Sequence, residues 1–216
     1  MVNKKIKKIL LKKNRSKIVS LTAYSKNISK ILDEYCDIVL VGDSMANVLY
    51  GHKDTHKISL QNIIQHTLSV KKGIKKSLLV VDMPKGSYSN KRLALKNARK
   101  IMNLTRCDAV KIESNYKNFN IIHELVKTKI PVMGHIGFTP QFQKKFKIQG
   151  DSINAINKLL KEALTIEKAG AFSIVLECLT PKASKLITNN LKIPTIGIGS
   201  SSNCDGQILV TDDMLG

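Results

Sequence analysis

The sequence predicts a (β/α)8 barrel, and three observations support that prediction. Eight short runs rich in β-branched residues alternate with longer amphipathic segments along the 216 residues. Most of these runs are apolar at nearly every position, which is typical of parallel strands buried on both faces. Polar residues collect where the runs end, and in barrels the carboxyl ends of the strands carry the active site. With 43% hydrophobic residues, the chain can build the large core that this fold requires.

The eight predicted strands recur along the whole chain. They comprise residues 18–21, 37–41, 78–81, 109–112, 132–135, 172–176, 195–198 and 207–210. Helical spacing of apolar residues predicts helices at residues 59–72, 89–103, 153–169 and 183–190. Gly170 follows the third of these segments, and glycine commonly ends a helix. This alternation of strands and helices indicates a parallel sheet closed into a barrel.

Both ends of the chain modify the predicted barrel. A cationic helical segment at residues 4–13 precedes the first strand, and we expect it to cap the bottom of the barrel. The sequence stops at Gly216, soon after the eighth predicted strand, so we expect the usual closing C-terminal helix to be missing. No linker or low-complexity stretch interrupts the pattern. We therefore expect residues 1–216 to form a single barrel domain.

The formal net charge of +20 raises the hypothesis of nucleic-acid binding, because a basic surface attracts phosphate. The distribution of the charge favours another interpretation. Lysine is spread through the entire chain, no aromatic-rich stacking motif accompanies it, and Trp is absent. We therefore expect no specific nucleic-acid partner, and we expect the charge to attract anionic small molecules.

Cysteine and hydropathy patterns exclude several other classes of protein. The four cysteines are widely scattered and form no C-x-x-C pair, which argues against a disulfide framework or a zinc site. No apolar run approaches the roughly 20 residues that span a bilayer. The apolar block at residues 9–11 is too short for a secretory signal. We expect a cytoplasmic protein with free, packed thiols and no membrane partner.

Acidic residues follow three consecutive predicted strands. Asp43 follows the second strand, Asp82 the third and Glu113 the fourth. Carboxylates from separate strands suit a hard cation such as Mg2+, which prefers oxygen ligands. A cation held there could bind a 2-oxo acid and stabilise its enolate as a Lewis acid. Glu177, at the end of the sixth strand, would remain as a candidate base.

Each candidate residue also has a purely structural interpretation. An Asp at a strand end can cap the following helix, which is the more common role for Asp43 or Asp82 taken alone. Glu113 could face solvent, and Lys111 could simply pair with it, since alternate residues of a strand share a face. His135 could be a hydrogen-bonded core histidine. The joint pattern favours the functional interpretation, because chance seldom places acidic groups at several successive barrel rims.

These residues lie in motifs that resemble those of the ketopantoate hydroxymethyltransferase family. The motifs follow the family's order from about residue 17 onward, and they are LTAY (21–24), LVGDS (40–44), YGH (50–52), VDMP (81–84), VKIE (110–113), PVMGHIGFTPQ (131–141), QGDS (149–152), LEC (176–178), IPTIGIGSS (194–201) and DGQILV (205–210). The VGDS, GHIGxTPQ and GIGxxxxxDGQxLV patterns are specific in combination.

The resemblance implies a barrel of the phosphoenolpyruvate/pyruvate superfamily type that binds Mg2+. The family transfers a hydroxymethyl group from the co-substrate 5,10-methylenetetrahydrofolate to 3-methyl-2-oxobutanoate, giving 2-dehydropantoate in pantothenate biosynthesis. By motif, Asp43 and Asp82 match its metal-binding aspartates, and Glu113 matches a third acidic group near the metal. Glu177 matches the general base, which would leave a Mg2+-stabilised enolate.

The resemblance also implies a set of substrate-binding residues. Ser44 and Lys111 match residues that hold the substrate, and His135 matches a histidine near it. Asp43 and Asp82 would contact the substrate through the cation that they share. The family forms ring-like homo-oligomers, so we expect a homo-oligomer here.

The sequence departs from the family pattern in three places. Lys85 stands in the DMPKGSY stretch, where relatives usually carry an aromatic residue. Ser114 and Asn115 follow Glu113, where relatives commonly have glycines. The segment at residues 142–148 is shorter than usual and lacks the family's glycine pair. We expect this segment to lie over the mouth, so lid closure and folate binding are the properties it would alter.

Two alternative functions remain open. A related Mg2+-dependent 2-oxo acid lyase or mutase would share the cation and the enolate, but those enzymes usually carry a lid motif with a cysteine. None of the four cysteines lies in such a motif. A truncated, inactive relative is the second alternative, since family members continue past Gly216. Retention of every candidate metal ligand, the lysine and the base argues against long decay.

Overall fold

The computed structural model describes residues 3–114, 118–143 and 145–216. Eight parallel strands pair in chain order, and β8 closes the barrel against β1. The strands are β1 (Ile18–Thr22), β2 (Ile38–Val41), β3 (Leu78–Asp82), β4 (Ala109–Glu113), β5 (Val132–Gly137), β6 (Ser173–Glu177), β7 (Thr195–Ile198) and β8 (Gly206–Leu209). Every predicted strand is present to within two residues at each end. The predicted (β/α)8 barrel is confirmed.

Helices surround this barrel. They are α1 (Lys4–Leu11), α2 (Lys26–Leu32), α3 (Met45–Val48), α4 (Leu60–Lys71), α5 (Lys91–Thr105), α6 (Phe119–Lys127), α7 (Ile153–Lys168), α8 (Pro181–Asn190) and α9 (Thr211–Leu215), with a short 3-10 helix at Thr55–Lys57. The four helices predicted between strands correspond to α4, α5, α7 and α8, and α1 lies within the predicted segment at residues 4–13.

Four helices were not predicted, namely α2, α3, α6 and α9. Each is nine residues long or shorter. Such lengths lie below the 11 to 18 residues over which helical periodicity becomes a reliable signal. The five-residue α9 is the helix that follows β8.

The interior of the barrel is apolar at its amino-terminal end. The interior cluster includes the first residues of four strands, which are Ile18, Ile38, Leu78 and Ala109. Ile6 and Ile9, the buried residues of α1, belong to the same cluster. Because α1 packs against the amino-terminal ends of the strands, the opposite end of the barrel is left for polar groups.

The outward faces of the strands carry a second apolar layer. Val39, Val81 and Ile112 pack there against buried residues of the helices, such as Ile63 and Ala98. Both faces of β2 to β7 are therefore buried, whereas β1 and β8 leave outward residues such as Val19 and Leu209 exposed. This double burial is the physical reason that the strands appear in the sequence as continuous apolar runs.

Two findings bear on the class of protein. Within the described part of the chain, no helix combines the length and the apolar character needed to cross a bilayer.

All four cysteines are free and buried, as predicted. Burial raises the pKa of the Cys36, Cys107 and Cys178 thiols to about 11, so these groups stay protonated and serve in packing.

Candidate active site

Strand register brings the candidate residues of β3, β4 and β5 together. Asp82 at the end of β3 is paired in register with Lys111 of β4, and Glu113 is paired with His135 of β5. Alternate residues of a strand share a face, so Lys111 and Glu113 both point into the barrel. All four side chains are buried. The alternative in which Glu113 faces solvent is wrong.

A glycine turn positions Asp43 and Ser44 beside this group. Gly42 follows β2, and a Cβ atom at this position would lie 2.8 Å from Ser44 Oγ and 3.4 Å from Asp82 Oδ2. The absent side chain lets the turn approach β3, where the backbone N–H of Asp43 donates to Asp82 Oδ2 at 3.0 Å. Ser44 is hydrogen bonded to the hydroxyl of Tyr24 at 2.8 Å.

A second glycine brings β5 and β6 close together next to Glu177, the candidate catalytic base. Gly137 has a φ of +94°, and a side chain there would collide with the backbone oxygen of Glu177. Gly137 and Glu177 are register partners on β5 and β6. The backbone N–H of Phe138 also donates to Glu177 O at 2.9 Å. These contacts fix the backbone of Glu177 at the rim, and its side chain is 18% exposed.

One cavity of about 760 Å3 contains every candidate residue from the sequence analysis. Its lining includes Asp43, Ser44, Asp82, Lys111, Glu113, His135 and Glu177. The cavity opens at the carboxyl ends of the strands, which is the active-site face of such barrels. Residues separated by up to 134 positions in the chain are therefore brought into one site.

Lys111 pairs with Asp82, not with Glu113 as the structural alternative proposed. Lys111 Nζ lies 2.8 Å from Asp82 Oδ1, and both side chains are buried. Burial alone would lower the pKa of Lys111, but the negative charges of Asp82, Glu113 and Asp43 outweigh it and raise the pKa overall. The ammonium group is thus held in its charged form next to three carboxylates.

Buried negative charge exceeds buried positive charge in the site. Burial and the charge of Asp82 raise the pKa of Asp43 to about 7. Burial and the charge of Asp43 raise the pKa of Glu113 well above its usual range. Both shifts have the same physical cause, since one lysine faces three desolvated carboxylates. A cation would relieve this imbalance, and the oxygen donors suit Mg2+.

The donors do not yet converge on one cation position. In the described part of the chain, no three His, Cys, Asp or Glu side chains are grouped as metal ligands. Lys111 occupies Asp82 Oδ1, and the side chain of Gln141 donates to Asp43 Oδ2 at 2.8 Å. The residues therefore fit Mg2+ by charge and donor type, and cation binding requires these side chains to reorient.

His135 is buried next to the candidate base. Its Nε2 lies 3.1 Å from Glu177 Oε2, and its Nδ1 lies 3.8 Å from Glu113 Oε1. Within the described residues, neither ring nitrogen makes a hydrogen bond of good geometry. Burial and the nearby positive charge of Lys111 lower the pKa of His135, which favours the neutral ring. His135 therefore differs from the hydrogen-bonded core histidine that was the alternative interpretation of this residue.

Gln141 is a site residue to which the sequence analysis gave no role. It is 1% exposed, and its backbone N–H donates to Glu113 Oε2 at 2.9 Å. Its side-chain amide donates to Asp43 Oδ2 and to Met83 O, and its carbonyl accepts from the Tyr88 hydroxyl. It ends the GHIGFTPQ motif, which was the available signal. Gln141 ties the β5–α7 loop to the acidic side of the site.

Two of the departures from the family pattern lie next to the cavity, through Lys85 and Phe146. Lys85 Nζ is 3.1 Å from His56 Nδ1, and His56 lines the cavity. Ser114 donates to Glu162 at 2.6 Å, whereas Asn115 lies outside the described residues. The 142–148 segment is described except for residue 144, and Phe146 of this segment lines the cavity.

The chain matches one protein family over nearly its whole length. Residues 3–216 match the family described as ketopantoate hydroxymethyltransferase. A 3-methyl-2-oxobutanoate hydroxymethyltransferase of Pelagibacter ubique (strain HTCC1062) is 53% identical over 215 residues, covering 100% of this chain and 84% of that protein. A protein of the same name from Anaplasma marginale (strain St. Maries) is 46% identical over 211 residues, covering 96% and 76%.

Solved structures with low sequence identity share the fold. The structure of 2,3-dimethylmalate lyase, a PEP mutase/isocitrate lyase superfamily member, aligns with a TM-score of 0.72 at 13% identity, covering 97% of this chain and 82% of that one. Phosphonopyruvate hydrolase in complex with oxalate and Mg2+ aligns with a TM-score of 0.73 at 10% identity, covering 98% and 82%. By the family match and its relatives, the chain belongs to the ketopantoate hydroxymethyltransferase family of hydroxymethyl-transferring enzymes.

Proposed function

We propose that this chain transfers a hydroxymethyl group from 5,10-methylenetetrahydrofolate to 3-methyl-2-oxobutanoate, giving 2-dehydropantoate for pantothenate biosynthesis. The observation that carries the proposal is the pairing of two chemical functions in one cavity. A buried ammonium and three carboxylates line one part of it, and a further carboxylate, Glu177, remains beside a neutral histidine. The ammonium, together with a cation on the three carboxylates, can hold a 2-oxo acid, and Glu177 can remove a proton from that acid.

We propose that Asp43, Asp82 and Glu113 hold Mg2+. When bound, this cation would supply Lewis-acid stabilisation of the negative charge that develops on the keto oxygen. The uncompensated buried charge of these side chains supports the assignment. An ammonium group has three donors, so Lys111 can keep its bond to Asp82 and also donate to the substrate. The Ser44 hydroxyl lines the same cavity and is a second donor for the substrate carboxylate.

Glu177 is the proposed base for the C3 hydrogen of the substrate. Its carboxylate takes the proton, and the electron pair of the broken C–H bond becomes the enolate. C3 then bonds to the methylene carbon of the folate, water supplies the hydroxyl of the product, and both C–N bonds of that carbon break. The proton taken from C3 and one proton of the water end on the two folate nitrogens, so tetrahydrofolate is released. His135, in the tautomer protonated at Nε2, faces Glu177 Oε2 at 3.1 Å and can orient that carboxylate.

The proposal is tested by exchange of the substrate's C3 hydrogen with deuterated water. We expect NMR to detect exchange for 3-methyl-2-oxobutanoate with the protein and Mg2+, without any folate. Addition of 5,10-methylenetetrahydrofolate should then yield 2-dehydropantoate. Carbon–carbon cleavage of oxaloacetate-like acids would favour a lyase. Folded protein that gives no exchange would contradict the proposal and favour an inactive relative.

We also propose that the chain forms a homo-oligomer, as members of the family do. Exposed apolar side chains on α2 and just after it support an interface there, since Ile31 is 58% and Tyr35 is 72% exposed. Light scattering after gel filtration would test the assembly, and a monomer at micromolar concentration would contradict it. The cytoplasmic location stays a prediction.

A further inference from the structure

The cavity is much larger than the 2-oxo acid needs. Its volume of about 760 Å3 falls in the range of sites that enclose drug-sized ligands, roughly 300 to 1,000 Å3. The acidic and basic residues that would hold a small branched keto acid lie on its strand side. The remainder of the lining comes from loops at the mouth, including Lys53, His56, Pro140 and Phe146. This outer part of the cavity is available to a second, larger molecule.

Two aromatic rings stand side by side in this outer part. The ring centroids of Phe138 and Phe146 are 5.3 Å apart, with the rings tilted by 60°. Both residues line the cavity, and Phe146 is 72% exposed. A large apolar ring left open to solvent at a cavity rim offers a surface on which a planar ligand gains both apolar burial and stacking.

The backbone of Phe138 contacts that of the proposed base. Phe138 directly follows β5, and its N–H donates to Glu177 O at 2.9 Å. The loop is fixed behind it, because Gln143 Nε2 donates to Gly137 O at 2.9 Å and to Thr139 Oγ1 at 3.1 Å. A ring that stacked here would share the cavity with the Glu177 carboxylate, the group that generates the enolate to which a one-carbon unit has to be delivered.

Cationic side chains surround the same opening. Lys53 lines the cavity, and Lys145 and Lys147 lie on the exposed part of the loop that carries Phe146. Lys147 has an ion pair with Asp151 at 3.7 Å, but both side chains are largely exposed, so the pair is weak. A ligand with a planar ring and a carboxylate tail would find a stacking surface and positive charge together.

We infer that Phe138 and Phe146 form the binding surface for the planar pyrimidine-containing ring of the one-carbon donor, whose anionic tail extends toward the lysines of the mouth. This inference rests on the proposed function and assigns a location to its second substrate. Phe146 lies in the segment where the sequence departs from the family pattern. Phe138 instead lies within the PVMGHIGFTPQ motif, so one ring of the surface belongs to a motif that resembles the family's and the other to the divergent segment.

Calorimetric titration of the full chain with tetrahydrofolate tests the assignment. We expect Phe146→Ala to weaken tetrahydrofolate binding by about tenfold or more, through loss of ring burial and stacking. Phe146→Tyr should retain most of the affinity. The matched control is Ile148→Ala, since Ile148 is 58% exposed on the same loop and does not line the cavity. A second probe, p-aminobenzoylglutamate, lacks the pterin ring and should bind weakly and equally to the Phe146→Ala and unmodified chains.

Deuterium exchange of the keto acid separates failure of this assignment from failure of the proposed function. Exchange needs no folate, so in the unmodified chain it reports on the proposed function whether or not Phe146 binds the pterin ring. Exchange in the unmodified chain together with unaltered tetrahydrofolate affinity in Phe146→Ala would overturn the ring-binding assignment alone. Absence of exchange in the unmodified chain would overturn the proposed function and this assignment with it. Because Phe146 is exposed, thermal melting should report the same stability for the variant.

Discussion

Asp82 and Lys111 are register partners on neighbouring barrel strands, and Lys111 Nζ lies 2.8 Å from Asp82 Oδ1. This buried pair neutralises one carboxylate of the site. Burial, followed by the negative charge of neighbouring carboxylates, raises the pKa of Asp43 and Glu113. The pair thus divides the site into a neutralised part and a part that attracts a cation.

Removal of the lysine should destabilise the protein strongly. Lys111→Met leaves the buried carboxylates without their cation, and breaking a buried pair in this way typically costs about 3–5 kcal/mol of unfolding free energy. Urea denaturation measures the loss. Lys147→Met is the control, because Lys147 is 3.7 Å from Asp151 in an exposed ion pair and should contribute less than about 1 kcal/mol. Equal losses for the two variants would contradict the role of Lys111.

Magnesium should bind and stabilise the folded chain through Asp43 and Asp82. At a concentration of 100 times its dissociation constant, a ligand of the native state adds about 2.7 kcal/mol of stability. We expect a rise in melting temperature with Mg2+, abolished in Asp43→Asn and Asp82→Asn. Asp54→Asn should respond normally, because Asp54 lies at the mouth and accepts from His56 N. A crystal soaked with Mg2+ and substrate in which neither Asp43 nor Asp82 contacts the ion would disprove the metal assignment.

Loss of the base should abolish proton transfer without abolishing substrate binding. We expect Glu177→Gln to slow C3 hydrogen exchange by about 100-fold or more, the usual range for a positioned general base. Affinity for 3-methyl-2-oxobutanoate, measured by calorimetry, should change little because Lys111 and the cation hold the substrate. Glu124→Gln on α6 is the control and should exchange normally. Normal exchange in Glu177→Gln would exclude Glu177 as the base.

Gln141 should hold the β5–α7 loop against the barrel. Gln141→Ala removes the side-chain hydrogen bonds to Asp43, Met83 and Tyr88, and losing such buried bonds costs about 1–3 kcal/mol. We expect faster tryptic cleavage after Lys145 in the exposed part of this loop, by about tenfold for each 1.4 kcal/mol of local destabilisation. Gln149→Ala is the control, since its side chain makes an exposed bond to Lys147 O. Unchanged cleavage in Gln141→Ala would rule out this role.

Asp205 should contribute stability that depends on pH. Burial acts to raise its pKa, but hydrogen bonds from Lys13, Thr195 N and Asn14 N outweigh burial and hold the pKa below the usual 3.8. Because the unfolded chain then binds the proton more readily, the contribution is complete above pH 3.8 and is lost as pH falls through the lower folded value. Asp205→Asn should therefore lose about 1–3 kcal/mol at pH 7.

The measurement is urea denaturation of the Asp205→Asn and unmodified chains from pH 7 down to acid. The difference in stability should shrink as pH falls below 3.8. Asp151→Asn is the control, since Asp151 forms an exposed ion pair with Lys147, and it should match the unmodified chain throughout. A difference that stays constant with pH would show that charge on Asp205 is not the cause.

The sequence by itself determined the barrel and the composition of its rim. Continuous apolar runs follow from burial on both strand faces, so the eight strands could be located from local pattern. Asp82 and Glu113 end β3 and β4, and those ends meet at one edge in any parallel barrel. Short helices such as α2 could not be located, because seven residues give too little periodic signal.

The tertiary structure decided which of these groups touch. Lys111 could have paired with Glu113 two residues away, but register places it against Asp82, 29 positions distant in the chain. Gln141 reaches Asp43 across 98 positions, a contact that no local pattern encodes. Hydrogen-bond partners across a barrel are set by strand register and by side-chain packing, which depend on the whole closed sheet. The sequence therefore specified the chemical groups at the rim, and the closed barrel selected their partners.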